Sequence, residues 1–216
     1  LDHTTGLRVM PWVGDVLDEH VLLHSPTWRR TFTADVIALL DAHPRLAGIH
    51  LNVEPLPSGN PAYLDLLEEL RQALPPGKML SVAAYPPPVL WQPGPEVHWD
   101  RAYYRQVAER ADQLVVMMYD TALPLPKAYV RLVGRWTEDV LTWVPEGEVL
   151  IGLPAYEDLA LYHWPGAENL EHGLRGLHAG LARFGGLPDS YQGIAVYSQW
   201  TMSDREWTLL ERGFTR

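Results

Sequence analysis

The chain has 216 residues, 47% of them hydrophobic, enough to bury one sizeable core, and we predict a single domain over residues 1–216. The formal net charge of −10 argues against nucleic acid as a partner, because nucleic acid binding needs a basic surface. The absence of Cys excludes a disulfide framework and thiolate metal sites, and no apolar run approaches the roughly 20 residues of a transmembrane helix.

The first half of the chain alternates strand-like and helix-like segments. The apolar run at residues 7–13 predicts a strand, and residues 15–30 are expected to form a loop. A helical spacing of apolar residues begins at Thr33 and ends near Pro44. The segments that follow are a strand at 48–53, a helix that opens at Asn60 and closes at 75–77, a strand at 79–85, a Pro-rich surface loop at 86–95 and a helix at 100–111.

The second half repeats this alternation, with strands at 114–120, 149–156 and 193–197 and helices at 128–143, 170–184 and 204–212. Six strand–helix units predict a parallel sheet in an α/β fold. A complete eight-stranded barrel takes about 250 residues. We therefore predict a (β/α)8 TIM-barrel-like fold with about six units visible and the first two missing or incomplete. An open doubly wound sheet is the alternative, although no Gly-rich phosphate loop follows the first strand.

The strand at 48–53 carries polar side chains at alternate positions. His50 and Asn52 lie within it and Glu54 directly follows it, each separated from the next by an apolar residue. A strand between two helices belongs to a sheet that is covered on both faces, so these polar groups need a reason. In α/β barrels the chemistry lies at the carboxyl ends of the strands. Glu54 is therefore the first candidate for a catalytic group, and a structural carboxylate paired with an Arg is the alternative.

Four strand ends carry recognisable patterns. Ala47–Glu54 ends in Asn-Val-Glu, Met117–Asp120 reads Met-Met-Tyr-Asp, Gly152–Tyr156 reads Gly-Leu-Pro-Ala-Tyr, and Gly193–Tyr197 is a Gly, three apolar or small residues and an aromatic. In this order they resemble glycoside hydrolase family 18, the chitinase-like barrels. The matching patterns of that family are Asp-Gly-x-Asp-x-Asp-x-Glu on its fourth strand, Met-x-Tyr-Asp on its sixth, Gly-x-Pro-x-Tyr on its seventh and a terminal aromatic on its eighth. The resemblance runs from about residue 7 to 207.

The resemblance implies roles for four residues. In substrate-assisted hydrolysis the glutamate protonates the glycosidic oxygen and the acetamido group of the substrate is the nucleophile. By resemblance, Glu54 is the acid/base and Asn52 orients the acetamido group. Tyr119 would hydrogen-bond the acetamido carbonyl or the intermediate, and Asp120 would contact a sugar hydroxyl or the reacting centre. A general acid near pH 7 needs a raised pKa, which burial beside apolar walls can provide.

The chain departs from the family at all three aspartates of the fourth-strand motif, which are replaced by Ala47, His50 and Asn52. An Asn supplies no negative charge to a developing cation. Its carbonyl can still accept a hydrogen bond from the acetamido N–H, so it can still orient the substrate. A related class of substrate-assisted endoglycosidases works with an Asn–Glu pair, so the replacement at position 52 does not exclude activity.

Other strand-end residues are candidates for sugar binding, because aromatic rings stack on sugar rings: His50, Trp12, Tyr85, Tyr156, Tyr197 and Trp200. The alternatives are that His50 is a satisfied interior histidine, that the aromatic residues belong to the core, and that Asp120 caps the next helix. His163 is expected to stand alone. We predict no metal and no cofactor, since no acid-containing ligand motif accompanies the histidines.

Three functions remain open from the sequence. The first is a glycoside hydrolase that acts on N-acetylhexosamine-containing glycans. The second is an inactive chitinase-like protein that binds carbohydrate, and the third is a two-carboxylate glycosidase that uses Glu54 with Asp120 on another sugar. The expected partner is a carbohydrate substrate or ligand, and the oligomeric state stays open. No signal peptide is visible, and the resemblance to glycan hydrolases favours an extracytoplasmic location.

Overall fold

The computed structural model describes residues 6–91 and 95–214 and shows alternating strands and helices. The strands are β1 (Trp12–Val13), β2 (Gly48–Leu51), β3 (Met79–Ala84), β4 (Gln113–Met117), β5 (Glu148–Pro154) and β6 (Tyr191–Tyr197). The helices are α1 (Pro26–Ala42), α2 (Pro61–Ala73), α3 (Arg101–Ala108), α4 (Pro126–Trp143), α5 (Leu170–Leu181) and α6 (Asp204–Phe214). Short 3-10 turns lie at Pro95–Val97 and Gln199–Thr201.

The strands form a six-stranded sheet in chain order, β1-β2-β3-β4-β5-β6. The β1–β2, β2–β3 and β5–β6 pairs are parallel, and each connection runs through a helix. Sequential order is that of a (β/α) barrel, whereas a doubly wound sheet reverses its order at a switch point. The predicted TIM-barrel-like α/β fold is therefore confirmed, with six strands in the described residues rather than eight.

The chain divides into two compact units. The first comprises the residues up to Ala83 together with Pro88–Leu114, and the second comprises Ala84–Pro87 together with Val115–Arg216. β1, β2 and all of β3 except its last residue, Ala84, belong to the first unit, β5 and β6 belong to the second, and β4 is shared between them.

The core of the first unit is built around Trp99, which precedes α3, and two tyrosines of α3. Trp99 is fully buried, and its ring meets those of Tyr103 and Tyr104 edge-on at centroid distances of 5.0 and 5.9 Å. The indole N–H of Trp99 donates to Leu56 O over 3.0 Å, so its one polar atom is satisfied. The apolar face of α2, including Leu66, is also fully buried.

The core of the second unit depends on close packing between α4 and α5. Gly176 and Gly180 on α5 lie against α4, and a Cβ at Gly180 would come within 2.6 Å of the backbone oxygen of Gly134. Small residues at these positions let the two helices approach closely, while Val133 and Trp136 of α4 are buried.

Three helices begin where the sequence indicates. The side chains of Asn60, Asp100 and Asn169 each accept a hydrogen bond from the backbone N–H three residues later, at 2.9–3.2 Å. These caps satisfy donors that the first turn of a helix leaves unpaired.

Two expected boundaries are wrong. The segment expected to be a loop at 15–30 contains the start of α1, which Ser25 caps and Pro26 opens, and Arg29 on this helix is buried against Glu69 at 2.9 Å. β1 covers only Trp12–Val13 instead of 7–13, and beyond its end Val16 forms an isolated bridge with Glu54.

Within the Pro-rich loop predicted at 86–95, residues 92–94 lie outside the described residues. None of the described helices is long and apolar enough to cross a membrane.

Candidate functional site

The carboxyl end of β2 places Asn52 and Glu54 side by side. Residues two apart in an extended chain point to the same side, and Asn52 Nδ2 donates to Glu54 Oε1 over 2.7 Å. The backbone here is held by β1 and the segment after it, since Asn52 N donates to Val13 O and Leu17 N donates to Glu54 O, each over 2.9 Å. Gly14 permits this approach, because a Cβ there would overlap the backbone oxygen of Asn52.

The remaining polar atom of Asn52 is an acceptor. Oδ1 is buried and has no hydrogen-bond partner among the described residues. A buried carbonyl oxygen without a partner is unfavourable, so Oδ1 would gain a hydrogen bond if the surrounding side chains moved to admit an N–H group. Glu54 itself is exposed.

His50 lies in a hydrogen-bond chain inside the first unit. Its Nδ1 is 2.9 Å from Ser81 Oγ, and Ser81 Oγ donates to Gln113 Oε1 over 3.1 Å. Because the hydroxyl hydrogen of Ser81 is committed to Gln113, Nδ1 of His50 carries its hydrogen and donates it to Ser81. Burial lowers the pKa of His50 to about 4, so the ring is neutral near pH 7. Trp12, its register partner on β1, is 59% exposed.

Asp120, just after β4, accepts a hydrogen bond at one oxygen and lies beside a histidine. The Tyr156 hydroxyl donates to Asp120 Oδ1 over 2.5 Å, and His163 Nδ1 lies 3.3 Å from the same oxygen. Asp120 has a left-handed backbone with φ of 58°, a conformation that residues other than Gly rarely adopt. It does not cap the next helix, because α4 begins at Pro126 and its N-cap residue, Leu125, makes no side-chain capping bond.

A buried carboxylate, Glu168, lies behind this group. Its oxygens accept from Thr121 Oγ1 over 2.9 Å and from Thr121 N over 3.1 Å. His163 Nδ1 is 3.6 Å from Glu168 Oε2, and both side chains are buried. The expectation that His163 stands alone is therefore wrong.

The neighbours of His163 define its charge. Nε2 lies 3.3 Å from Tyr156 O, and Nδ1 faces the carboxylates of Asp120 and Glu168, so both ring nitrogens face acceptors. Burial by itself lowers the pKa of His163, but the two carboxylates outweigh it and raise that pKa to about 9. The ring is an imidazolium at neutral pH.

An aromatic cluster covers the strand ends of the second unit. Tyr119 and Tyr197 stack with ring centroids 5.7 Å apart, and Tyr156 meets both rings edge-on at 6.1 and 5.7 Å. Trp200 extends the cluster from Tyr197 at 6.2 Å and is 71% exposed. Burial raises the pKa of Tyr156, and its bond to Asp120 adds to the shift. Tyr85 is buried.

A cavity of about 490 Å³ opens beside this cluster, within the second unit. Its wall includes Tyr156 and the polar residues Glu171 and Arg205, which form an ion pair at 2.6 Å. The cavity is large enough for a small polar ligand.

A metal ion could also be held by this group. Each of the three residues offers one possible ligand atom, and these atoms lie within 4.8 Å of one another: Asp120, His163 and Glu168. A histidine ligand must present a lone pair to a metal. Nδ1 of His163 lies 3.3 and 3.6 Å from the carboxylate oxygens of Asp120 and Glu168, the arrangement of an ion pair, so a metal bound there would have to displace the proton of Nδ1.

The structure groups the predicted residues within each unit. His50, Asn52 and Glu54 lie along one chain segment of the first unit, while Tyr119, Asp120, Tyr156, Tyr197 and Trp200 form one connected group in the second. Sequence reasoning missed His163 and Glu168, because they lie on a loop without periodicity and Glu168 directly precedes the helix cap.

The fold is similar to those of several solved structures. The chitinase from Chromobacterium violaceum matches 97% of this chain and 80% of its own, with a TM-score of 0.68 and 17% identity. A fungal endo-β-N-acetylglucosaminidase from glycosyl hydrolase family 18 matches 89% of this chain and 64% of its own, with a TM-score of 0.61 and 13% identity. The Bacillus cereus spore cortex-lytic enzyme SleL matches 68% of this chain, with a TM-score of 0.52 and 20% identity.

The chain spans 36% of the SleL structure and 52% of a sporulation-specific glycosylase, YdhD, from Bacillus subtilis. No family model and no curated protein matches this sequence. The resemblance inferred from the strand ends is thus confirmed as a resemblance of fold to chitinase-like barrels.

Proposed function

We propose that the chain is a glycoside hydrolase-like protein that acts on N-acetylhexosamine-containing glycans, with Glu54 as general acid and base. The observation that carries this proposal is the Asn52–Glu54 pair at the carboxyl end of β2, in which one side chain donates to the other and keeps an unpartnered acceptor. The similarity of fold to chitinases supports the substrate class.

The chemistry assigned to this pair is substrate-assisted. Glu54 gives its proton to the glycosidic oxygen that joins two sugars. The sugar that keeps the anomeric carbon attacks that carbon with its own acetamido carbonyl, and the bond from the anomeric carbon to the leaving sugar breaks. Asn52 Oδ1 accepts the acetamido N–H and aligns the carbonyl for attack. Glu54, now a carboxylate, takes a proton from the water that opens the cyclic intermediate. Nδ2 of Asn52 keeps the Glu54 side chain oriented throughout.

The residues of the second unit are assigned to sugar binding. Tyr119 and Asp120 would each hydrogen-bond a polar group of the glycan. Trp200 and Tyr197, both exposed, offer ring faces to a sugar.

A second candidate is a protein that binds these glycans without cleaving them. It is favoured by one observation: the residue two positions before the acid is the neutral Asn52, which accepts an N–H group but supplies no charge to a developing cation. Exposed aromatic rings such as Trp200 would serve binding without turnover.

The test is hydrolysis of fluorogenic N-acetylglucosamine oligomers by the wild type and Glu54→Gln, with direct binding measured for both. Removing a general acid costs about 10²–10⁴-fold in turnover, and Glu54→Gln should lose at least a hundredfold while it still binds. Glu146→Gln is the matched control, because Glu146 is exposed in the loop that precedes β5, away from the carboxyl ends of the strands.

Each outcome separates the candidates. Binding by both proteins with turnover by neither identifies a carbohydrate-binding protein. If neither binds nor cleaves an acetamido sugar, the proposal is wrong, and the same assay with sugars that lack the acetamido group tests the two-carboxylate glycosidase.

A further inference from the structure

The group behind Asp120 is more elaborate than a sugar contact requires. Glu168 is completely buried and His163 is nearly so, yet both are charged residues on the loop between β5 and α5. Burying a charge is costly unless a partner of opposite charge and hydrogen bonds compensate it. The proposed reaction does not use either residue directly, so their burial needs another explanation.

Glu168 holds the backbone next to Asp120. Its two oxygens accept from both the backbone N–H and the hydroxyl of Thr121, the residue that follows Asp120. Asp120 and Ala122 both have φ of 58°, which costs energy for residues other than Gly. Ala122 N also donates to Tyr162 O over 2.8 Å, so the turn is fixed to the loop that carries Glu168.

His163 connects the buried carboxylate to the exposed one. Its Nδ1 lies 3.3 Å from Asp120 Oδ1 and 3.6 Å from Glu168 Oε2, and its Nε2 donates to Tyr156 O. The His163 ring also stacks on Tyr156, with centroids 4.0 Å apart and planes 27° from parallel. The titratable groups that face this ring are Asp120, Glu168 and Tyr156.

The contacts of Asp120 all fall on one oxygen. Tyr156 donates to Oδ1 and the ion-pair distance to His163 also ends at Oδ1, while no hydrogen bond or ion pair of Oδ2 with the described residues is found and half of the side chain is exposed. A carboxylate held at one oxygen presents the other in a defined direction, which lowers the entropy lost when a ligand binds.

We propose that Glu168 and His163 are positioning residues that fix the carboxylate of Asp120 at Oδ1, through the turn at Thr121 and the Tyr156 hydroxyl, and so present Oδ2 to a hydroxyl of the bound glycan. The proposal rests on the proposed function for the identity of the ligand. The ion pair of His163 with Asp120 and Glu168 does not depend on the proposed function, because it can be observed in the protein without a ligand.

The first measurement is the ionisation of His163 in the free wild-type protein, followed by the side-chain ¹⁵N signals of its imidazole between pH 6 and 10. Both ring nitrogens should stay protonated well above the ordinary titration range of a histidine, and Glu168→Gln should move the titration to lower pH. Glu168→Gln is suitable because an amide keeps the size of the side chain but removes the charge that faces His163 and one of the two oxygens that accept from Thr121. If the His163 ring is neutral at pH 7.5 in the wild type, the proposal that Glu168 and His163 position Asp120 is wrong.

Addition of Zn²⁺ to the same sample tests the competing assignment as a metal site. The proposal expects no change at the His163 signals, since both nitrogens are protonated. Release of the Nδ1 proton on addition of Zn²⁺, prevented by EDTA, would overturn it.

The second measurement is a double-mutant cycle on glycan affinity. Asp120→Ala and Glu168→Gln should each weaken binding of an N-acetylglucosamine oligomer by at least tenfold, and the double variant should bind no more weakly than Asp120→Ala alone, because Glu168 acts through Asp120. His178→Gln on the exposed face of α5 is the control and should bind like the wild type. Thermal unfolding of each variant identifies any that fail to fold, and Tyr156→Phe then replaces Glu168→Gln in the cycle.

Additive losses in this cycle would overturn the positioning role. If the wild type shows the imidazolium but binds no oligomer, the proposed function fails, and the role of Asp120 toward a glycan fails with it. If the wild type binds the oligomer but shows a neutral His163, the positioning pair is overturned and the proposed function stands.

Discussion

The buried His163 should make the stability of this protein fall as pH rises from about 6 to 9.5. The perturbation is the loss of one proton from the imidazolium that lies between Asp120 and Glu168. In the unfolded chain this histidine titrates at its ordinary pKa of 6.5, whereas in the folded protein the two carboxylates raise the pKa to about 9. Between these two values the folded state binds more protons than the unfolded state, so the free energy of unfolding decreases with pH.

The magnitude follows from the difference of about 2.5 pKa units. At about 1.36 kcal/mol per unit, the ion pair contributes about 3 kcal/mol. The contribution is fully present below pH 6.5 and almost gone at pH 9.5. This is a large share of the total stability of an ordinary domain.

The assay is urea unfolding of the wild type and of a variant with both His163→Gln and Glu168→Gln, in which neither group titrates. The wild type should lose about 3 kcal/mol more than this variant between pH 6 and 9.5. The comparison cancels the buried tyrosines, such as Tyr63 and Tyr104, whose raised pKa values make stability fall in both proteins as the pH approaches 10. Parallel pH dependences, within about 0.5 kcal/mol, would refute the assignment of an imidazolium.

Three further predictions concern single side chains. In urea unfolding, Gly180→Ala should lower the free energy of unfolding by about 1–3 kcal/mol, because its Cβ would come within 2.6 Å of the backbone of α4. Gly166→Ala is the control and should change the free energy of unfolding by less than about 0.5 kcal/mol, because a Cβ there meets open space. Trp200→Ala should lower the affinity for the glycan, measured by calorimetry, at least about fivefold. The free energy of unfolding should change little, because the ring is largely exposed. An unchanged affinity would show that Trp200 does not contact the glycan. Tyr156→Phe should lower the free energy of unfolding by about 1–2 kcal/mol, because it removes the hydroxyl that donates to Asp120 Oδ1. The control is Tyr162→Phe at an exposed position, and equal stability of the two variants would contradict the prediction.

The elements of the fold were predictable because their signals are local. Apolar spacing located the helices and strands, and the side chains of Asn60, Asp100 and Asn169 marked three helix starts. The start of α1 was missed because its first turns bury a charged residue, Arg29, whose partner Glu69 is forty positions away. A burial that depends on such a distant partner leaves no periodic signal near the residue itself.

The site residues were predictable to a different degree in the two units. Asn52 and Glu54 are two positions apart on an extended chain, so spacing alone predicted that they share a side. His163 and Glu168 make contacts with Asp120 and Thr121 that span more than forty positions, and nothing near them in the sequence indicates these contacts.

The sequence by itself determined the alternation of strand and helix, the chitinase-like pattern of strand ends and the placement of Asn52 and Glu54 on one side of the chain after β2, because each depends on residues close together in the chain. Only the tertiary structure decided the order of the strands, the protonation of His50 and His163, and the contacts of Asp120. Those properties depend on which distant groups are brought together and on how far water is excluded from them. A histidine is a neutral donor beside Ser81 and a cation between two carboxylates, and folding alone creates each environment.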